Sequence, residues 1–137
     1  MPSWPPAIAE ERFAHARIGR LATVTAAGRP HVVPVCFALH DGVVYTAVDA
    51  KPKATTALAR LENVRATGRA SLIVDHYEED WTQLWWVRVD GPAEVLDSDM
   101  AIDALAAKYR QYRAARPTGP VIAVTPDRWR SWTATAC

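Results

Sequence analysis

The chain has 137 residues, half of them apolar, with 16 basic and 15 acidic side chains. That length closes one hydrophobic core and is short for two ordinary domains, so residues 1–137 are expected to form a single domain. The near-zero net charge excludes a global field that would steer the protein to nucleic acid or an anionic membrane, so any anion site must be local. The only cysteines are Cys36, inside an apolar run, and Cys137, the last residue. They make a poor disulfide framework, which fits a reducing compartment. No segment approaches the roughly 18 continuous apolar residues of a membrane span, and the opening Met-Pro-Ser-Trp-Pro-Pro lacks the charged and apolar regions of a signal peptide. A cytoplasmic protein is expected.

Pro5 and Pro6 open a predicted helix that runs to Arg17, with Ile8, Phe13 and Ala16 at roughly helical spacing. Beyond Gly19 the pattern turns to strands. Arg20 to Thr25 and Pro30 to Leu39 flank the turn Ala27-Gly28-Arg29, and His40-Asp41-Gly42 leads into a third strand, Val43 to Val48. Asp49-Ala50-Lys51-Pro52-Lys53 breaks the sheet, and Thr55 to Leu61 reads as a short helix. Two strands follow, Ala70 to Asp75 and Leu84 to Leu96, separated by a polar segment, His76 to Gln83, that is long for a hairpin loop. Asp97 or Ser98 can cap a helix whose Ile102, Leu105, Tyr109 and Tyr112 share one face and which ends among Arg110, Arg113 and Arg116. Val121 to Val124 and Trp129 to Thr133 supply the last strands. The class is mainly β with flanking helices, and a small antiparallel barrel removes the exposed sheet edges such a chain would carry.

Three constellations bear chemistry. Between a strand and a helix, Lys51 and Lys53 supply ammonium donors, Pro52 holds Lys51 extended, and Thr55 or Thr56 adds a hydroxyl beside the free NH groups of the helix start. That set suits a phosphate; it also suits a solvated lysine turn. In the strand Pro30 to Phe37, Pro34 removes a ladder NH, which fits either a plain edge strand or a place where a planar ring approaches the backbone. Trp81, Trp85 and Trp86 fall within six residues. Side chains alternate along a strand, so Trp85 and Trp86 cannot pack the same core, and one of them is expected at an interface or a ligand.

Cys36 reads as a core thiol, and His15, His31 and His40 as surface or turn residues. His76 lies in an acidic loop without a second histidine nearby, so no metal is expected. No nucleophile elbow, Walker loop, GxGxxG fingerprint or paired-cysteine metal motif occurs. A small barrel with a phosphate-suited loop and no acid–base dyad fits a cofactor that does the chemistry itself.

Gly19-Arg20-Leu21-Ala22-Thr23-Val24 and Gly28-Arg29-Pro30-His31-Val32-Val33-Pro34-Val35 resemble the opening strands of the pyridoxamine-phosphate-oxidase-like family, the FMN-binding split barrel. Asp49 to Lys53, Arg60 to Val64, Asp75-His76-Tyr77, Asp80-Trp81 and Leu84 to Gly91 resemble an actinobacterial subgroup of deazaflavin-dependent enzymes. The resemblance implies a split β-barrel homodimer with a cofactor site at each side of the subunit interface, built from both chains. It implies F420, or FMN in its place, as cofactor. It places the phosphate on Lys51 and Lys53, with Thr55 or Thr56, and the ring along Val33, Pro34, Val35 and Thr46; Trp85, Trp86 and Arg88 match its aromatic strand. The chain lacks the longer C-terminal substrate segment of true pyridoxamine-phosphate oxidases. The expected activity is hydride transfer from reduced deazaflavin to an unsaturated small molecule, with no protein residue becoming covalent. The alternatives are an FMN oxidoreductase on the same fold and a non-catalytic module that binds flavin, deazaflavin or haem.

Overall fold

The structure, a computed structural model, describes residues 2–48 and 55–135, without the side chains of residues 55–58. Eight antiparallel strands and four flanking helices follow in the order α1 (Pro6–His15), β1 (Gly19–Val24), β2 (Pro30–Val35), β3 (Ala38–His40), β4 (Val43–Ala47), α2 (Thr55–Thr67), β5 (Arg69–His76), β6 (Trp85–Leu96), α3 (Asp99–Lys108), α4 (Arg110–Ala114), β7 (Val121–Val124) and β8 (Arg128–Thr133). The strands lie in the order β2-β1-β5-β6-β7-β4-β3, and β8 adds to β6. This is the mainly β, split-barrel architecture expected from the sequence.

The 12-residue β6 organises the sheet. Its first half, Trp85 to Asp90, lies between β5 and β8, and its second half, Ala93 to Leu96, pairs with β7. Gly91 stands at the change of partner. A Cβ there would lie 2.0 Å from the Thr125 carbonyl oxygen, and the Thr125 and Asp127 amides bond to the Pro92 and Asp90 carbonyls on either side, so only glycine fits.

The single strand expected from Pro30 to Leu39 is two strands. Its first part pairs with β1 and its second with β4, and Cys36-Phe37 carries the chain between them. One side chain holds this corner. The Tyr109 hydroxyl accepts from the Phe37 amide at 3.1 Å and lies 3.0 Å from both the Phe37 and the Arg17 carbonyl oxygens. Tyr109 also explains why the predicted helix through Arg116 divides: its backbone is extended (φ −117°, ψ 120°), ending α3, and Arg113 donates to the Ala106 and Ala107 carbonyls that the break leaves open. Ser98 is the N-cap, accepting from the Ala101 amide. The hairpin at Asp41-Gly42 has positive φ at both residues (49° and 79°), the left-handed pair that matches strand twist.

Two buried clusters form the interior. The barrel core joins Phe13, Leu21, Phe37, Val44, Leu61, Val64, Leu72, Val74, Val87, Val89, Ile122 and Val124. The other lies beneath α3 and joins Tyr45, Ala47, Ile102, Leu105, Tyr109, Tyr112, Val121 and Ala123. β4 and β7 alternate between the two and are buried on both faces. Ile102, Leu105, Tyr109 and Tyr112 are buried together as their spacing implied. On α1 the buried residues are Ala9 and Phe13, while Ile8 is exposed. Trp4, ahead of that helix, is buried, with its amide bonded to the Ser131 hydroxyl. Among the described residues no helix is long and apolar enough to cross a membrane.

Candidate functional site

Strand register sorts the candidate residues by face. Arg20 lies opposite Pro34 and Ile73, Ile73 opposite Arg88, and Arg88 opposite Arg130. With the two-residue alternation of strands, Pro30, Val32 and Pro34 therefore share the outer face with Arg20, Ala22, Val24, Ile73, Trp86, Arg88 and Trp132. Val33, Val35 and Trp85 are on the opposite, inner face and pack on the barrel core. The two tryptophans are thus separated by the sheet, as alternation requires. Trp81 is on the loop that follows β5 and is 66% exposed.

Among the described residues no helix covers the outer face. Val32 is 61% exposed and Val24 43%, with Ala22, Ile73, Trp86 and Trp132 half-buried beside them. β2 is the edge of the sheet, paired with β1 alone. Pro34 and Pro30 are therefore where a missing NH costs no ladder bond. On the same face Arg88 is held by Asp90 through two bonds, Nε to Oδ1 at 2.9 Å and a terminal nitrogen to Oδ2 at 3.2 Å, and its guanidinium lies 5.8 Å from the Trp86 ring. Burial pushes the Asp90 carboxyl up, but the Ser71 hydroxyl, Arg88 and the charge of Arg128 outweigh it and hold the group below the usual carboxylate range. Arg20 pairs with Asp75 at 2.7 Å.

Thr46 is fully buried, and its hydroxyl donates to the Cys36 carbonyl at 2.8 Å. Cys36 is half-buried against the α3 core, with its thiol free. Lys51 and Lys53 lie outside the described residues, and Thr55 and Thr56 are the first two residues of α2. The chain enters the lysine segment from β4, whose Ala47 is registered with Val121, itself registered with Leu96 at the far end of β6. Trp85 is at the other end of that strand. Among the described residues, Pro34, Trp86 and Arg88 are on the outer face and Val33, Val35 and Trp85 on the inner one, so one chain does not bring these into one pocket.

Two further groups escaped the sequence reading. His31, expected at the surface, has its Nδ1 buried with no hydrogen-bond partner among the described residues. It sits across from Thr23, which accepts from Asn63 of α2. An orphaned ring nitrogen beside Val33 and the helix that follows the lysine segment fits a bound group with a polar edge. Lys108 lies with Nζ 3.8 Å from the Phe37 ring centre and without a hydrogen bond among the described residues. Burial, reinforced by the nearby charge of Arg17, lowers its pKa to about 8. Helical spacing alone could not show that Lys108 turns back over the strand corner.

At the open end of the barrel, between α1 and the loop after β5, a cleft of about 460 Å³ is lined by Glu11, Arg12, His15, Arg17, His76 and Trp85, among others. A second of about 390 Å³ shares Arg12, His76 and Trp85 with it and continues past Trp4 to Thr82 and Thr133. Trp4 and Trp85 lie 5.2 Å apart and tilted, and the His76 ring stacks on Trp85 at 6.2 Å and 18°. His76 also contacts Glu78. Among the described residues no group of three or more His, Cys, Asp or Glu side chains converges to hold a metal.

Residues 6–133 match the family model described as pyridoxamine 5'-phosphate oxidase. The chain belongs to this family. No curated protein matches it significantly. Among solved structures it is similar to a conserved hypothetical protein of Mycobacterium tuberculosis, with a TM-score of 0.76 at 20% identity over 97% of this chain and 87% of the other. An FAD-binding protein of Mesorhizobium loti matches with a TM-score of 0.69 at 20% identity over 94% of each chain. HutZ, the haem storage protein of Vibrio cholerae, matches with a TM-score of 0.69 at 16% identity over 93% of this chain and 92% of that one. At these identities the likeness is one of fold.

Proposed function

We propose that the protein is an F420-dependent oxidoreductase, a homodimer whose two cofactor sites lie at the subunit interface, and that it reduces an unsaturated small molecule. The observation that carries this reading is the outer sheet face. Pro34 on the edge strand, and Trp86 and Arg88 three strands further in, lie on one partly apolar face that none of the described elements covers. A second copy laid on that face would cover the exposed valines. In the proposed site Lys51, Lys53, Thr55 and Thr56 hold the phosphate, and Pro34 lines the ring on the outer face, with Val33 and Val35 contributing only their backbone along the edge strand. Bound deazaflavin supplies the hydride, so the chain needs only to bind, orient and exclude water, in keeping with its lack of an acid–base dyad. FMN on the same residues is the alternative cofactor.

The fold likeness to an FAD-binding protein and to a haem storage protein supports a second reading, a carrier without turnover. Titration of the purified apo-protein with F420 and with FMN, followed by tryptophan fluorescence, tests the cofactor. Oxidation of reduced F420 by a conjugated acceptor only in the presence of the protein supports the enzyme. Tight binding without acceptor-dependent oxidation supports the carrier, and absence of binding to either cofactor refutes the enzyme.

A further inference from the structure

The cleft at the open barrel end has features that neither core packing nor the proposed phosphate site explains. Trp85 lines it and the adjoining cleft, where the edge of the buried Trp4 also reaches the wall, and an aromatic side chain facing a cavity is a usual lining of a site for a planar molecule. The Arg12 guanidinium lies 5.0 Å from the Trp4 ring centre and has no carboxylate partner among the described residues. The other cations are more constrained. Arg17 donates to the Lys108 carbonyl at 2.9 Å and lies over the Tyr109 ring, and His15 Nδ1 is 2.9 Å from the Glu11 carbonyl oxygen. Of the two carboxylates on the wall, Asp75 is neutralised by Arg20, which leaves Glu11 against the two guanidinium groups. The cleft thus pairs an aromatic wall with a net positive rim. An arginine already stacked over an aromatic ring keeps its in-plane NH donors free for a planar anion.

We infer that this cleft binds a small planar molecule carrying a carboxylate, its ring against Trp85 and its anionic group at Arg12. The inference does not rest on the cofactor reading, and its test uses the full chain without cofactor. Calorimetry with 2-naphthoate and with its neutral counterpart 2-naphthamide should show the anion binding at least about tenfold tighter, the worth of one charge-assisted contact. Arg12 is exposed, so Arg12→Gln should fold normally. In that variant naphthoate should fall to within roughly threefold of naphthamide, while naphthamide binding stays unchanged. Trp85→Phe should weaken both ligands in parallel. The variant with Lys51 and Lys53 both changed to alanine should bind naphthoate as the parent does, whatever it does to F420. Equal binding of the two ligands by the parent, an undiminished preference in Arg12→Gln, no binding at millimolar naphthoate, or loss of naphthoate binding in the double lysine variant would each overturn the inference.

Discussion

Replacing Tyr109 with phenylalanine removes one oxygen from the corner where β2 becomes β3. That oxygen accepts from the buried Phe37 amide and lies within bonding distance of the Phe37 and Arg17 carbonyls. A hydroxyl has one proton, so it donates to one carbonyl, or shares the proton between two, while accepting from the amide. The variant therefore loses two hydrogen bonds and leaves a buried NH unsatisfied. At about 1 kcal/mol for each bond, with a further 1–2 kcal/mol for the stranded donor, the cost is about 3 kcal/mol. For a chain of this size that lowers Tm by roughly 10 °C. Urea unfolding followed by tryptophan fluorescence measures it, with an unchanged m-value expected because the surface exposed on unfolding is the same. A loss below about 0.5 kcal/mol would mean that the corner is held by packing of Phe37 and that the hydroxyl is incidental.

Lys108 is easier to neutralise in the folded chain, at about pH 8 rather than 10.5. Its charged form therefore costs stability below pH 8, and that cost is relieved as pH rises toward 10.5. The stability advantage of Lys108→Met over the parent should shrink across this window in denaturant titrations, and a pH-independent difference would refute it. Changing Lys51 and Lys53 together to alanine removes two charge-assisted contacts of roughly 1.5–3 kcal/mol each, so cofactor affinity should fall at least about a hundredfold. A dissociation constant within about threefold of the parent would instead identify solvated turn lysines. Val32→Asp places a charge on the bare outer face and should shift the proposed dimer to monomer in light scattering, whereas an unaltered mass would exclude that face as the interface.

Most strands were legible because their borders carry turn chemistry, as at Gly28 and Asp41-Gly42, and because alternation is visible where one face is buried. Where pairing partners change within a run, the sequence is silent. Pro30 to Leu39 reads as continuous because Cys36-Phe37 is as apolar as its neighbours, and only the long-range contact from Tyr109 marks the corner. The extension of α2 from Leu61 to Thr67 was missed for a related reason. Its buried face there is made by Val64 and by Asn63, a polar residue whose amide is satisfied by Thr23, so helical hydrophobic spacing is interrupted.

The candidate site was legible as residue types but not as a place. Alternation alone divides Pro34 from Val33 and Val35, and Trp86 from Trp85, so the residues named along two strands fall on both faces of the sheet. Which face meets a ligand depends on what covers each. The inner face is filled by the barrel core up to the cleft at Trp85, and the outer face is covered by none of the described elements. A cofactor that touched Pro34 and Trp86 would lie on the outer face. One that touched Val33 and Trp85 would have to enter the barrel end. Tryptophan fluorescence separates these cases: cofactor quenching that is unchanged in Trp85→Phe but reduced in Trp86→Phe, with Trp132 beside it still reporting, assigns the outer face, and the reverse assigns the cleft end.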